Sequence, residues 1–478
     1  MADDLRGWLA EMEEFGELAK IQGADWNLEI GATSSLNGKR TDCPALLFEN
    51  IKGYSPSYRI ATCTTATSSR IAHIFGLPRH ATDMELVTLL RQKLPKWNAE
   101  AARYAPLDVK SGPILENVHT GDDVDLFEFP VPQYHERDGG RYIGTGDAVI
   151  TMDPDTGEIN LGTYRVQVHD RNTVGLFIKP GSHGRIHIEK WHAMGKPCPV
   201  AISVGHHPLV HRIAATSVDN EYGFMGAIRE KPVDVVREEV TGLPMPAQSE
   251  IVIAGWCPPG EKRPEGTFGE WMGYYAGEAA TAPIVRIERV YHRHDPILVG
   301  APPARPRSEN THCRALMGAA ILHNWLEESG IPDVKGVWLS DFGVRLFTVV
   351  SIKQRYDGHA KQVALLVAGS RHGDSGSNMM RYVVVVDDDI DPSNIQDVLW
   401  AMCTRCEPVE DIDVVRRTWS ASLDPMIRKP AKALYNSKAI IDACKPFEWK
   451  DEFPKEITVS PDLAARVKEM WGKQVGLL

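Results

Sequence analysis

The sequence contains no apolar run approaching the ~18 residues that a membrane-crossing helix needs, so no membrane span is expected. Its opening, Met1 to Phe15, is polar and amphipathic, unlike the positively flanked apolar core of a secretory signal. A basic block is missing too. Lys and Arg number 53 against 64 Asp and Glu, and a net charge of −11 is a poor match to nucleic acid or an anionic membrane. Cysteine is scarce: the eight present are scattered singly apart from Cys403 and Cys406, which predicts reduced thiols in a cytoplasmic protein rather than a disulfide framework. Repeats and low-complexity tracts are also lacking. What is there is an ordinary globular composition over 478 residues, enough at about 150 residues per domain for two to four cores.

Hydrophobic periodicity divides the chain in three. Residues 3–20 read as a helix capped by Asp3 or Asp4, followed by strands at Ala45–Phe48 and Tyr58–Thr62 and a helix at Asp83–Leu94. This alternation predicts an N-terminal α/β domain over 1–114. Short β-rich runs then dominate, among them Ala148–Met152, Leu161–Val168, Val174–Ile178, Val200–Val204, Glu250–Ala254, Ile284–Tyr291 and Ile297–Val299. They predict a β-barrel or sandwich over 115–310. A C-terminal α/β domain, 311–478, follows, with helices at Leu316–Glu328, Gly358–Gly369 and after Pro392, strands at Leu346–Ile352 and Tyr382–Val386, an irregular Pro-rich tail from 420 and a last helix at Asp462–Trp471. The overall class is mixed α+β and α/β.

The most informative segment is 264–271, PEGTFGEW. Glu265 and Glu270 are separated by glycines that break any helix, and two carboxylates brought close perturb each other, so that one can hold a proton for general-acid work. The plain alternative is a pair of solvated glutamates on a turn. In INLGTYRVQV (159–168), Arg165 sits among apolar and aromatic neighbours, suited to a bidentate grip on a carboxylate or to snorkelling at a rim. Asn160 and Arg165 have opposite parity, so one regular strand would send them to opposite faces. Histidines crowd 183–211. His183 and His187 have helical spacing, but Gly181 and Gly184 argue against a helix, and HExxH is absent. Cys403 and Cys406 have no second pair and read as core packing. Asp387–Asp389 reads as a strand end leading into a helix N-terminus rather than a metal site.

Taken together, DLRGWLAEMEEFGEL (4–18), PALLFENIKGY (44–54), NLGTYRVQV (160–168), PGSH (180–183), EYGFMGAI (221–228), PAQSEIVIAG (246–255), PEGTFGEW and VVVVDDDIDPSN (383–394) resemble the UbiD family of decarboxylases, nearer to hydroxybenzoate- and vanillate-type members than to ferulate-type ones. The resemblance implies a split β-barrel flavin domain and prenylated FMN as cofactor. It also implies a Mn²⁺ (or Mg²⁺) ion held by Asn160, His183 and Glu221, with K⁺ nearby. The same resemblance assigns cofactor contacts to Asn160, Thr163, Tyr164, Arg165, Ser182, His183 and Glu221, with Lys361 on the phosphate side. Its catalytic set falls on Glu270, Arg165 and Glu265. The implied reaction is reversible, non-oxidative loss of CO₂ from an aromatic, heteroaromatic or α,β-unsaturated acid through a covalent adduct with the flavin, Arg165 orienting the carboxylate and Glu270 protonating the product carbon. Implied partners are a small carboxylic acid, a flavin prenyltransferase as supplier and further copies of the chain, in a homodimer or homohexamer. Two alternatives accompany this reading: a UbiD-like subunit of a multi-protein carboxylase, and net carboxylation at high bicarbonate. Finally, APPARPRSENTHCR (301–314) gathers Arg305, Arg307, His312 and Arg314, which with Arg345 could bind a second anionic group of the substrate or lie solvated on the surface.

Overall fold

The computed structural model describes residues 2–275, 280–370, 379–421, 423–427 and 434–476. The chain opens with the helix Leu5–Glu14. Asp4 caps it by accepting from the Gly7 N–H at 2.8 Å, and Leu5, Trp8, Leu9 and Met12 are buried on one face. The helix stops six residues short of the expected Lys20. Gly16 adopts φ +70°, turns the chain, and Leu18–Gln22 becomes a strand. That strand begins a four-stranded sheet continuing through Ala45–Glu49, Arg59–Thr62 and Ile297–Val299. The last of these, expected among the barrel strands, pairs in parallel with Arg59–Thr62 of the N-terminal sheet. The helix expected to end at Leu94 runs from Asp83 through Pro95 to Glu100, opened by a Thr82/Glu85 capping box and burying Trp97 near its end.

The central sheet has ten strands. Its row runs Arg141–Gly144, Arg165–Asp170, Thr173–Phe177, Ala280–His292, Ile251–Cys257, Cys198–Gly205, Ala148–Met152 and Ile159–Gly162, with Lys262–Glu265 and Asn117–Thr120 also on the long Ala280–His292 strand. The expected single strand Leu161–Val168 is thus two strands, one at the far end of the row and the other next to its beginning. Only Thr163 and Tyr164 connect them, so Gly162 and Arg165 are at most about 11 Å apart. The sheet must therefore curl until its two edges face each other, which makes a barrel split along one seam. The parity conflict between Asn160 and Arg165 vanishes, because they sit on opposite lips of that seam. Thr163 Oγ1 donates to the Asp147 carbonyl at 2.9 Å and the Thr163 N–H to the Ala214 carbonyl at 3.1 Å, which pins the crossing.

The C-terminal sheet has the order Val334–Leu339, Phe347–Ile352, Tyr382–Asp387, Tyr435–Ala443, Ile412–Trp419, parallel in the middle and antiparallel at both edges. The run Val383–Val386 is fully buried, as a central parallel strand requires. The tail expected to be irregular supplies Tyr435–Ala443, whose polar start hides a strand that buries Ile440, Ile441 and Ala443. Asp387 and Asp389 do not serve a helix dipole; they clamp the buried Arg405 at 3.2 and 2.8 Å. The cysteines are free. Cys403 is exposed on the helix Ile395–Arg405 and only Cys406 packs against apolar neighbours, so the core reading of that pair fails for Cys403. Among the described residues no helix is long and apolar enough to cross a membrane.

Candidate active site

Arg165 begins its strand at the seam with its side chain largely covered. Its Nη2 lies 3.1 Å from Glu265 Oε2 and its Nη1 lies 3.5 Å from Glu270 Oε1. The guanidinium lies over the Phe177 ring at 3.9 Å and near Phe268 at 5.1 Å, which fixes its plane. Glu265, at the end of the strand Lys262–Glu265, is 1% exposed and accepts from the Tyr142 hydroxyl at 3.1 Å. Burial pushes its carboxyl above the usual range, and Arg165 and Tyr142 only partly oppose this. Glu270 sits beyond it in a tight turn, its N–H donating to the Tyr274 carbonyl at 2.9 Å. The loop lies flat on 138–140 because Gly266 and Gly139 meet backbone to backbone: a Cβ on either would come within 2.2 Å of the other's Cα.

Across the seam, Asn160 is buried on Ile159–Gly162, His183 opens the helix His183–Ala193, and Glu221 opens the helix Glu221–Arg229. The first helix exists despite Gly184. That glycine is needed because the Tyr164 ring passes 3.0 Å from where its Cβ would be. The remaining histidines of the cluster have structural partners: His187 Nδ1 meets Thr151 Oγ1 at 3.0 Å, and His206 Nδ1 meets Ser203 Oγ at 2.8 Å.

Asn160, Thr163, Tyr164, Arg165, Ser182, His183, Glu221 and Glu270 line one cavity of about 950 Å³. Glu265 stands behind Arg165 rather than in the wall. Lys361 is not part of the wall. Its ammonium pairs with Asp413 on the outer strand of the C-terminal sheet, so the phosphate-side assignment is not met within this chain. Lys179 lines the cavity instead, one residue ahead of the PGSH motif, as do Arg314 and, from the C-terminal domain, Trp419, Leu423 and Leu434. Nothing in the local sequence marks the last three.

The profiles of the 3-octaprenyl-4-hydroxybenzoate carboxy-lyase N-terminal, Rift-related and C-terminal domains match residues 9–90, 106–306 and 312–443. This chain belongs to the UbiD family. It is accordingly a carboxy-lyase by family. It is 33% identical over 460 residues to a phenolic acid decarboxylase of Sedimentibacter hydroxybenzoicus, covering 93% of this chain and 92% of the relative. The open form of that organism's vanillic acid decarboxylase, solved with a truncated second chain, superposes with a TM-score of 0.86 at 31% identity, covering 99% of each chain. The UbiD-class enzyme HmfF of Pelotomaculum thermopropionicum, solved as an evolved dimer with prenylated FMN, gives 0.80 at 27% identity, covering 97% of this chain and 98% of that one.

The UbiD cavity of this chain can accommodate the family's groups. Its volume suits a flavin-sized ligand with room beside it. Glu221 is a buried carboxylate pushed up to about 7 by desolvation, and Asn160 Nδ2 is buried without a hydrogen-bond partner. An amide, an imidazole and a carboxylate form a donor set suited to Mn²⁺ or Mg²⁺.

Arg307 belongs elsewhere. It is buried, its Nε lies 2.9 Å from Asp341 Oδ2, and His312 Nδ1 meets the same oxygen at 2.8 Å. The expected second-anion role fails for Arg307, whose charge Asp341 already matches, and for His312, whose ring is buried against the same carboxylate. Arg345 is buried over the Trp271 ring at 4.3 Å, and Arg305 is exposed.

Proposed function

We propose that this chain catalyses reversible, non-oxidative decarboxylation of an aromatic, heteroaromatic or α,β-unsaturated acid with prenylated FMN. The observation that carries this reading is Arg165 held between Glu265 and Glu270 on the wall of a cavity that also contains Asn160, His183 and Glu221. Losing CO₂ from an sp² carbon leaves a carbanion that no side chain can absorb, and the bound flavin supplies the electron sink. The protein does the rest. Arg165 Nε and Nη1 are buried and take no hydrogen bond, leaving donors for the substrate carboxylate, while Nη2 stays tethered to Glu265. Glu265, clamped by Tyr142, positions Arg165 and does not face the substrate. Glu270 faces the cavity beside Arg165 and delivers its proton to the carbon that CO₂ leaves; in the carboxylation direction it takes that proton back. Asn160, His183 and Glu221 would hold Mn²⁺ or Mg²⁺, Thr163, Tyr164 and Ser182 would contact the cofactor, and K⁺ would bind as well. The same reading expects a flavin prenyltransferase as supplier and assembly as a homodimer or homohexamer.

The test is a mass-spectrometric screen of aromatic and unsaturated acids using protein co-expressed with a flavin prenyltransferase. Loss of 44 mass units from at least one acid, abolished in Glu270→Gln, is the expected result; flavin-loaded protein that consumes no acid would overturn it. A second reading, a subunit acting only within a larger assembly, is favoured by the second chain in the vanillic acid decarboxylase structure. Turnover by the purified chain alone would exclude that reading.

A further inference from the structure

We propose that His119, Glu128 and His292 form a divalent-metal site of their own, of the class that Zn²⁺ fills, apart from the large cavity. None of the three lines that cavity. His119 is opposite Val290 and His292 opposite Asn117 in the antiparallel pairing of Asn117–Thr120 with Ala280–His292. Residues two apart share a face, so the two imidazoles are diagonal neighbours on one side of the sheet. Glu128 closes the short turn Leu126–Glu128 and brings its carboxylate to the same place.

The distances suit a shared ion. His292 Nε2 lies 3.4 Å from His119 Nε2 and 3.9 Å from Glu128 Oε1, and one ligand atom from each of the three residues lies within 4.8 Å of the other two; the 3.3 Å contact of His119 with Glu128 is made by its other nitrogen, Nδ1. A tetrahedral ion with bonds of about 2.1 Å separates its ligand atoms by about 3.4 Å. The orientation of His292 is already that of a ligand. Its Nδ1 is 2.8 Å from the Arg293 carbonyl, so the hydrogen sits there and the Nε2 lone pair faces His119 and Glu128. His292 is 5% exposed, with Phe129 and Tyr58 rings edge-on at 5.5 and 6.3 Å forming a dry wall. Glu128 Oε1 and His119 Nδ1 are buried without a hydrogen-bond partner, and among the described residues the ion-pair partners of Glu128 are these two histidines. Two imidazole nitrogens and one carboxylate are a zinc-type set, and the part-exposed His119 leaves a fourth position for water. The ion would cross-link the Asn117–Thr120 strand and the Leu126–Glu128 turn to the longest strand of the central sheet.

The three residues play no part in the proposed decarboxylation, so the two readings are tested separately. The full-length chain carrying His183→Ala, which breaks the cavity's own donor set, is stripped with a chelator and titrated with Co²⁺ and then Zn²⁺. One equivalent should bind, with visible absorption of four-coordinate Co²⁺ that Zn²⁺ displaces, and Zn²⁺ should raise the melting temperature. Adding Glu128→Gln should weaken uptake by about a hundredfold or more and remove the Zn²⁺-dependent rise. Should that variant fail to fold, His119→Gln, on a part-exposed side chain, makes the same comparison. Equal uptake with and without the change, or no saturable uptake below millimolar Co²⁺, would overturn the site and leave a charge-paired histidine cluster.

Discussion

Arg165 and Arg307 invite comparison, since both are covered arginines that touch a carboxylate near 3 Å and both looked functional from their surroundings. Around Arg307 the charge has a partner at close range: Asp341 Oδ2 lies 2.9 Å from Arg307 Nε and 2.8 Å from His312 Nδ1. Burial pushes the Asp341 carboxyl up, but His312 and Arg307 outweigh it and hold it below the ordinary range. Around Arg165 the balance goes the other way. Burial leaves Glu265 above its ordinary range despite Arg165 and Tyr142, and two nitrogens of Arg165 remain without hydrogen bonds. One cluster stabilises the fold. The other holds unsatisfied hydrogen-bonding capacity at a cavity, and the proposed function rests on that capacity.

The largest expected effect breaks the comparison at Glu270. Glu270→Gln keeps the shape but cannot donate a proton, so turnover should fall by about 10²–10⁴-fold while flavin absorbance is retained. Wild-type turnover in that variant would remove Glu270 from proton transfer. On the other side, Asp341→Asn leaves Arg307 buried without its countercharge and should cost about 3–5 kcal/mol, read by denaturant unfolding. A loss below about 1 kcal/mol would show that the cluster is not the fold's counterpart to the active site. Because Asp341 is held below its unfolded value, its contribution is present above an unfolded pKa near 3.8 and is lost as pH falls through the lower folded one. The stability gap between wild type and Asp341→Asn should therefore persist at neutral pH and close only in strong acid.

A smaller effect concerns the other lip of the seam. His183→Ala or Glu221→Ala should lower metal and flavin occupancy by about 10–100-fold, judged by metal content and flavin absorbance after purification. Full flavin absorbance with only turnover lost would make these residues chemical rather than cofactor-holding. The smallest effect is expected at Arg305. It is exposed, and Arg305→Ala should change stability by no more than about 0.5 kcal/mol and treat mono- and diacid substrates alike. A selective rise in KM for a diacid would return Arg305 to the substrate pocket.

Most of the candidate residues that line the cavity stand in short, glycine-marked motifs, and it is through those motifs that the sequence resembles the UbiD family. Gly266 and Gly269 announced a tight loop carrying Glu265 and Glu270, and the PGSH turn announced His183. The misreadings have one physical source. Gly184 looked like a helix breaker because its partner, the Tyr164 ring, comes from a strand crossing that local sequence does not display. Lys361 looked like a phosphate ligand because its motif cannot reveal that Asp413 lies across from it. Arg307 looked available because Asp341, which neutralises it, is 34 residues further along.

The sequence by itself determined many of the strands, the cap of the first helix and the loop carrying Glu265 and Glu270, because apolar period, cap residues and Gly act over a few residues; Leu18–Gln22, Tyr435–Ala443 and the break at Thr163–Tyr164 escaped it. It also determined which side chains with useful chemistry lie at the ends of those elements. Only the tertiary structure decided how they meet. The two-residue crossing at Thr163–Tyr164 forces the sheet's edges together, bringing Asn160 and Arg165 to one cavity from opposite ends of a ten-stranded sheet. Charge neutralisation, burial and the free valences left over depend on neighbours distant in sequence. That is why the same residue type is an open hand at 165 and a closed one at 307.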